Sequence, residues 1–273
     1  MPLATQTEEA IVKVLADDLE LDMIWARFDK TTLEQEKQFK PIIRREFKKQ
    51  EDEVLTNVAR SLPLDLRDET PTEIMAGWLF DEDAWNALLE RAAKPFVDTS
   101  MVEGAIEGIR GINAGLGIDL ALSFNVNDPN VVTIINDKLH KFSFEVNDET
   151  TRLLKKEFRE AIAEGDTIKN VEKRVEKVFN FNDKVRTNRI ARTEILGAHN
   201  AGTFEAMVNS GVVATKQWIN SRDGRVRETH SNTEIRPLME RFTNGLRFPG
   251  DWTGDASEII NCRCAMRAKE FVI

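Results

Sequence analysis

Cysteine is scarce in this sequence. The 273 residues contain two cysteines, and both lie in the stretch EIINCRCAM at 258–266. The first ten residues, MPLATQTEEA, show no secretory leader, so we expect a reducing compartment rather than a disulfide-stapled secreted protein. On an extended strand, Cys262 and Cys264 would be about 6.5–7 Å apart at Cα, beyond comfortable disulfide reach. Metal ligation, a reactive thiol and plain burial remain as their roles.

Long apolar runs are also missing. None approaches the ~18 residues that a bilayer-spanning helix needs, which predicts no transmembrane segment and no membrane partner. There is no internal repeat and no low-complexity segment. A composition of 41% hydrophobic and 31% charged residues is typical of a globular protein, and the length fits one large domain or two ordinary ones.

The net charge of −9 is unevenly spread along the chain. Residues 1–100 hold 22 acidic and 13 basic side chains, and we expect this acidic part to contact other proteins. Residues 152–192 hold 12 basic and 7 acidic side chains, so this stretch could present a basic face to DNA phosphates without base specificity. The candidates for such contacts are Lys184, Arg186 and Arg189. The alternative is a solvated helix surface with i,i+4 ion pairs.

Apolar residues recur at helical spacing through most of the first 210 residues. Ile11, Val14 and Leu15 keep this period, and similar stripes follow, including a charged second helix from Phe39 onward. From residue 212 the pattern changes, because VVATKQWIN is rich in β-branched residues and has no helical stripe. The predicted fold class is therefore mainly α with a small α+β unit at the C-terminus.

A connector broken by glycines at 113–127 predicts the domain boundary. We expect a helical N-terminal region at 1–125 and a second domain at 126–273. The second domain is expected to divide into helices over 129–209 and a β-containing unit over 212–273.

Short motifs predict where individual helices begin and end. Capping boxes or N-caps at TPTE, SMVE, DPN and VNDETT favour helix starts, and glycines favour helix ends. The positions are 70–73, 100–103, 128–130 and 146–151 for the starts, and Gly165 and Gly211 for the ends.

Three glycines form a stripe in the helix that follows residue 100. Gly104, Gly108 and Gly111 weaken this helix but allow a second backbone to approach closely, which predicts tight packing. A membrane-packing face is the alternative.

The cysteine stretch at 258–266 is predicted to be a strand, because its apolar residues are partly β-branched. Side chains alternate along a strand, so Cys262, Cys264 and Met266 would share one face and Arg263 would lie on the other. We expect this strand to lie beside KQWIN and to carry its cysteines inward.

Polar groups are unusually dense between residues 189 and 264. Arginine forks suit carboxylates, and a network of such pairs would stiffen a loop-rich unit that has little apolar core. The predicted structural polar cluster consists of Arg189, Arg192, Glu194, Trp218, Arg225, Arg227, Asp251 and Arg263. We expect Asp223, Arg227, His230, Asp251, Cys262, Arg263 and Cys264 to converge in space.

His230, Cys262 and Cys264 are also zinc-ligand types, and Asp223 or Asp251 could complete a tetrahedral site. The spacing differs from the paired knuckles of most structural zinc sites, so zinc is one alternative and no other cofactor is predicted. A second alternative is burial of both cysteines as compact apolar residues, with His230 satisfied by Asp223 or a carbonyl. A third is a Cys–His–Asp nucleophile.

Three motifs in order carry a family resemblance. RIARTEILGAHNAG (189–202), KQWINSRDGRVRETH (216–230) and LRFPGDWTGDASEIINCRC (246–264) resemble the phage Mu F-like minor head proteins, also called phage head morphogenesis proteins. The resemblance extends over about 130–268. One departure is SNTEIRPLMERF at 231–242, which stands where members usually have a glycine-containing turn.

The resemblance implies a low-copy protein of tailed-phage heads that associates with the portal vertex and acts in DNA packaging or ejection. It implies portal protein, capsid or scaffolding protein, and phage DNA as partners. It also implies the virion interior as location, with the host bacterial cytoplasm during assembly. No settled catalytic activity defines the family. The alternative class is a metal- or thiol-dependent enzyme, a nuclease or hydrolase, delivered with the virion.

Overall fold

Helices account for most of the chain before residue 211 in the computed structural model, which describes residues 3–61, 81–180 and 183–272. The long helices of this part are α1 (Leu3–Ser61), α2 (Glu82–Leu116), α3 (Pro129–Glu164), α4 (Ile168–Asn180) and α5 (Asp183–Ser210). None of the described helices is long and apolar enough to cross a membrane. The predicted helix start at 70–73 lies outside the described residues.

Strands occur after α5. The chain continues as β1 (Val213–Ile219), a 3₁₀ turn (Glu228–His230), β2 (Ile235–Pro237), the short helix α6 (Ala256–Ile259) and β3 (Ala265–Phe271). The sheet order is β2-β1-β3, with both outer strands antiparallel to β1. Trp218 is paired with Met266. The predicted fold class is confirmed. A terminal strand does lie beside KQWIN, but it is β3 at Ala265–Phe271 and not the predicted stretch at 258–266.

Several predicted helix ends are correct. Asp128 caps α3 by accepting a hydrogen bond from the Asn130 N–H, and Pro129 is the first helical residue. Gly165 follows α3 with φ +65° and Gly211 follows α5 with φ +67°. This left-handed conformation costs glycine little, which is why it ends helices so often.

Two predicted helix starts are wrong, because the polar side chains of those motifs bond elsewhere. SMVE lies inside α2, where the Ser100 hydroxyl donates to the Ile195 carbonyl oxygen at 2.8 Å. VNDETT lies inside α3, where the Asn147 side-chain oxygen accepts a hydrogen bond from the Gln50 amide at 3.0 Å, within the usual range. An N-capping motif marks the start of a helix only when its side chain bonds to the backbone N–H groups of its own first turn.

α1 is one continuous helix where the sequence pattern predicts two. Pro41 lies inside it, and a proline at an interior position removes one backbone hydrogen bond. Phe39, Ile43 and Phe47 are buried around this position. We attribute the continuity to their packing, because tertiary burial contributes more to helix stability than local propensity does.

The chain forms two compact units. The first unit consists of Met1–Glu36, Thr99–Val126 and Arg192–Ile273, and the second of Lys37–Asp98 and Asn127–Ala191. Each unit combines segments from both sides of residue 126.

Close helix packing inside the first unit depends on glycine. A Cβ atom at Gly104 of α2 would lie 1.8 Å from the His199 carbonyl oxygen, and one at Gly202 of α5 would lie 1.9 Å from the Met101 carbonyl oxygen. The predicted close approach is therefore confirmed for Gly104. Gly111 has open space around its Cβ position and takes no part in it.

We expect Gly202→Ala to lower the free energy of unfolding by about 1–3 kcal/mol, because overpacking against a backbone carbonyl outweighs the better helix propensity of alanine. Gly111→Ala is the matched control, and it should leave stability unchanged or raise it by up to about 1 kcal/mol. Urea denaturation measures both. Equal effects of the two substitutions would contradict the packing role.

Candidate metal centre

One imidazole and two thiols meet inside the first unit. Nδ1 of His230 lies 3.7 Å from Sγ of Cys262 and 3.6 Å from Sγ of Cys264. All three potential ligand atoms lie within 4.8 Å of one another. The three residues are 2%, 1% and 3% exposed, respectively, and both cysteines are free thiols. We call His230, Cys262 and Cys264 the Cys–His cluster.

The cysteines reach the cluster from an irregular segment, so the prediction of a strand over 258–266 is wrong. α6 ends at Ile259, and β3 begins only at Ala265. Between them Asn261 has φ +59°, a left-handed conformation that breaks any strand and that asparagine tolerates better than most residues. The predicted inward direction of both cysteines is nevertheless correct.

Side chains of two helices hold this irregular segment. The Trp25 indole N–H of α1 donates to the Arg263 carbonyl oxygen at 3.0 Å. The Asn200 amide of α5 donates to the Cys264 carbonyl oxygen at 2.9 Å. Backbone carbonyls without strand partners need such donors when they are buried, and these bonds fix the segment's position.

Glu258 orients the imidazole from its far side. Its carboxylate Oε2 lies 2.7 Å from Nε2 of His230 and accepts a hydrogen bond from the Thr229 hydroxyl at 2.9 Å. A carboxylate at Nε2 favours the tautomer with the proton on that nitrogen, which leaves a lone pair on Nδ1 facing the thiols. The sequence did not predict this role of Glu258.

The two thiols have different pKa values, because a thiolate on one of them disfavours a second thiolate on the other. The S–H of Cys264 stabilises a thiolate on Cys262. Together with the His230 imidazolium, whose Nδ1 then carries a proton, it outweighs the cost of burial and lowers the pKa of Cys262 to about 5. That thiolate, together with burial, raises the pKa of Cys264. The backbone N–H of Cys264 lies 3.4 Å from the Cys262 sulfur.

A small polar cavity of about 60 Å³ adjoins the Cys–His cluster. All three cluster residues line it. The other lining residues are Arg192, Ser221, Asp223, Arg225, Val226, Arg227, Asn261 and Arg263. Arg189 and Glu194, which were also predicted for the polar cluster, do not line this cavity.

Asp223 is part of the cavity wall and not of the ligand cluster, which corrects the predicted ligand set. Its carboxylate accepts hydrogen bonds from the guanidinium groups of Arg263 at 2.5 Å and Arg225 at 3.0 Å. Partial burial raises its pKa, but the backbone N–H of Arg225 and these two guanidinium groups outweigh burial and lower the pKa to about 2.

Two other predicted arginines hold the turn before Cys262. Arg227 donates to the Ile260 carbonyl oxygen. Arg192 donates to the Asn261 side-chain oxygen at 2.9 Å and pairs with Glu36 at 3.3 Å. The turn that aims Cys262 inward is thus held by charged side chains from α5 and from the loop before the 3₁₀ turn.

Asp251 does not join these residues, so its predicted convergence with the cysteines is wrong. It is buried and accepts hydrogen bonds from the Arg247 guanidinium at 2.9 and 3.0 Å and from the Thr253 hydroxyl at 2.8 Å. The neighbouring Lys216, which sequence reasoning missed, donates to the Arg247 carbonyl oxygen at 2.7 Å. Burial lowers the pKa of Lys216 to about 8.

Acidic residues of α1 bind basic residues of the β-containing unit, a set of contacts that the sequence did not predict. Arg267 of β3 pairs with Asp17 at 2.5 Å and with Glu20 at 2.7 Å. Arg222 pairs with Asp18 at 3.0 Å. The only sequence signal was the density of acidic side chains at 17–22. Part of the acidic N-terminal charge is therefore used within the chain.

Ion pairs run through the basic stretch in the second unit. Arg174 alone contacts Glu157, Glu160, Glu164 and Asp166 at 2.6–3.4 Å. These pairs join α4 to α3 and to the loop between them. The predicted alternative was i,i+4 pairs along one helix, and Lys156 with Glu160 at 3.8 Å is such a pair.

The three candidates for DNA contacts lie in different surroundings. Lys184 and Arg189 are exposed on α5. Arg186 faces inward instead, because its guanidinium lies 4.5 Å from the centre of the Phe47 ring and donates to the Thr150 hydroxyl at 2.6 Å. Its structural contacts remove it from the outward-facing set.

Comparison with known proteins agrees with the motifs of this site. Residues 152–267 match the family model of Phage Mu protein F like protein. The family resemblance seen in the sequence is confirmed. The Mu F-like family suggests a phage head morphogenesis protein.

One curated relative is an uncharacterized protein, YqbB, from Bacillus subtilis (strain 168), which is 25% identical over 197 residues. The aligned part covers 69% of this chain and 62% of that protein, so the chain spans less than two thirds of the relative's length. No solved structure matches significantly.

The Mu F-like match begins within α3 and ends in β3, so it includes the whole Cys–His cluster and the cavity beside it. The segment at 231–242, which departs from the family pattern, supplies β2 and the buried Phe242. The departure therefore builds an edge of the sheet, and His230 lies just before it.

The low pKa of Asp223 predicts a pH-dependent contribution to stability. Because the folded pKa lies below the unfolded value, this contribution is complete above about pH 4 and is lost as pH falls towards 2. Asp223→Asn should lower the free energy of unfolding by about 1–2 kcal/mol at pH 7, since it weakens hydrogen bonds from two guanidinium groups. The difference from the unmodified protein should shrink between pH 4 and 2.

Asp22→Asn is the control, because Asp22 forms an exposed ion pair with Arg222 at 3.2 Å. Its effect should stay below about 1 kcal/mol. Chemical denaturation at several pH values measures both. An unchanged gap for Asp223→Asn down to pH 2 would contradict the assigned ion pair.

Proposed function

We propose that this protein is a minor head protein of a tailed phage or prophage. In this proposal it associates with the portal vertex during head assembly and acts in DNA packaging or ejection. Portal protein and capsid or scaffolding protein are its partners, the virion interior is its final location, and the host bacterial cytoplasm is where it assembles. The observation that carries the proposal is the match of residues 152–267 to the Mu F-like family.

The contacts of the site support a structural role over a thiol-dependent enzyme. Both cysteines are buried, and the adjoining cavity of about 60 Å³ has room for a few water molecules but not for a peptide or a nucleotide. The surrounding arginines are engaged with Asp223, with Asn261 and with a backbone carbonyl. These interactions fix a turn, which is a structural role.

Deleting the gene from the phage or prophage that encodes it tests this role. We expect a strong loss of DNA-filled heads, restored by a plasmid copy of the gene and also by the Gly111→Ala variant, whose packing is unchanged. Mass spectrometry of purified heads should find the chain at a small fraction of the major capsid protein, and crosslinking should join it to the portal. Normal yields of infectious heads without the gene, or heads that lack the chain, would refute the proposal.

We further propose that the exposed basic residues of α5 bind DNA phosphates weakly and without sequence preference. Binding of a duplex should weaken steeply as salt rises, because counterions are released from each neutralised phosphate. Lys184→Ala with Arg189→Ala should reduce the salt slope by about two units.

Lys13→Ala with Lys30→Ala is the matched control, since it removes the same charge from exposed positions of α1. Its salt slope should equal that of the unmodified protein. Fluorescence anisotropy at low salt measures both. Binding that ignores salt, or equal losses in the two double variants, would contradict a DNA contact at α5.

A further inference from the structure

We propose that the Cys–His cluster binds one Zn²⁺ ion through Nδ1 of His230 and the thiolates of Cys262 and Cys264, with the fourth coordination position facing the adjoining cavity and taken by water. This inference is independent of the proposed role in phage heads. It rests on distances, on the groups behind two of the ligands, and on the polarity of the cavity.

The distances between ligand atoms fit a tetrahedral site. A zinc ion bound at about 2.3 Å to sulfur and about 2.0–2.1 Å to nitrogen holds the two ligand atoms about 3.6 Å apart at the tetrahedral angle. The observed separations from His230 Nδ1 are 3.7 Å to Cys262 and 3.6 Å to Cys264. Both nitrogen–sulfur separations therefore match those around a common zinc ion. The two sulfurs lie within 4.8 Å of each other, and zinc binding would hold them about 3.8 Å apart.

Two of the three ligands, His230 and Cys262, are also supported from behind. Glu258 at 2.7 Å from Nε2 gives the arrangement in which a carboxylate orients a metal-binding histidine and leaves Nδ1 free to ligate. The backbone N–H of Cys264 points to the Cys262 sulfur at 3.4 Å. Such a donor stabilises a thiolate in a buried site.

The charges and the ligand types favour zinc over a hard cation. Two thiolates and a divalent ion sum to zero, which allows both sulfurs to ionise in a buried place where alone they would repel each other. Sulfur and imidazole ligands suit Zn²⁺, whereas Mg²⁺ and Ca²⁺ need oxygen ligands.

The fourth position faces the cavity because all three ligand residues line that cavity. Asp223 is the carboxylate on its wall, and two guanidinium groups already engage it, Arg263 at 2.5 Å and Arg225 at 3.0 Å. The cavity of about 60 Å³ holds a water molecule without any change in these pairs. We therefore assign the fourth ligand to water and not to Asp223.

The test measures metal content of the full chain, purified without a histidine tag and without chelators, by elemental mass spectrometry. We expect about one zinc per chain, released when both thiols are modified. Cobalt substituted for zinc should show the charge-transfer absorption of a thiolate-bound ion. A folded, reduced chain that takes up no stoichiometric zinc would overturn the proposal and leave a buried thiol–imidazole hydrogen-bond network.

Variants separate the roles of the individual groups. Cys262→Ser and Cys264→Ser should lose stoichiometric zinc, and Glu258→Gln should bind it about 10–100-fold more weakly in competition with a chromophoric chelator. Glu258→Gln keeps all three ligands, so it tests the site even where a cysteine variant fails to fold. Asp223→Asn should keep its affinity. A loss as large as that of Cys262→Ser would overturn the assignment of water, and unchanged affinity in Glu258→Gln would overturn the orienting role.

Discussion

A sheet of three strands with seven, three and seven residues is too small to hold itself by apolar burial. The arrangement of the first unit follows from this constraint. Its core combines Leu21 and Phe28 of α1 and Leu196 of α5 with Trp218 of β1. Trp218 lies at the junction, with its ring centre 4.9 Å from that of His230 and 5.0 Å from that of Phe242. The sheet is thus stable only as part of a helical frame, which explains why the family match includes helices as well as strands.

Polar contacts hold the β-containing unit against the helices where apolar packing ends. Residues 260–264 have no strand partner. The N–H groups of Ile260 and Cys262 bond to the backbone of α6, whereas carbonyl groups of the segment accept from side chains of α1, α5 and the loop before the 3₁₀ turn. Trp25 and Arg263 lie 238 positions apart in the chain and are joined by a hydrogen bond. Since buried carbonyls without donors are costly, losing such a bond would loosen the turn that positions both cysteines. The geometry of the Cys–His cluster is therefore a property of the whole first unit.

The sequence predicted the periodic features well and the local exceptions poorly. Helices and the helix ends at Gly165 and Gly211 follow from side-chain period and glycine conformation, which are local signals. The β1–β3 pairing joins distant segments, and it was expected because both ends of the β-containing unit have strand-like residues. The strand over 258–266 was wrong because one left-handed residue, Asn261, interrupts an otherwise strand-like pattern, and its conformation depends on Arg192 and Thr193 of α5. The convergence of His230 with the cysteines was correctly expected. The position of Asp251 away from the cysteines was not expected, because composition does not show which arginine a carboxylate will pair with.

The Cys–His cluster joins two segments that are 32 residues apart, the 3₁₀ turn and the turn after α6. In the absence of a metal, this link consists of weak contacts to sulfur and one shared proton, so it adds little to the stability of the closed frame. A ligand bound by all three side chains would act as a crosslink between the segments. Such a ligand would raise the free energy of unfolding, because the unfolded chain does not present the three groups together. The gain grows with the logarithm of the ligand concentration divided by the dissociation constant. A small sheet with little apolar core has the most to gain from such a crosslink, because the segments it joins are turns that have no strand pairing of their own.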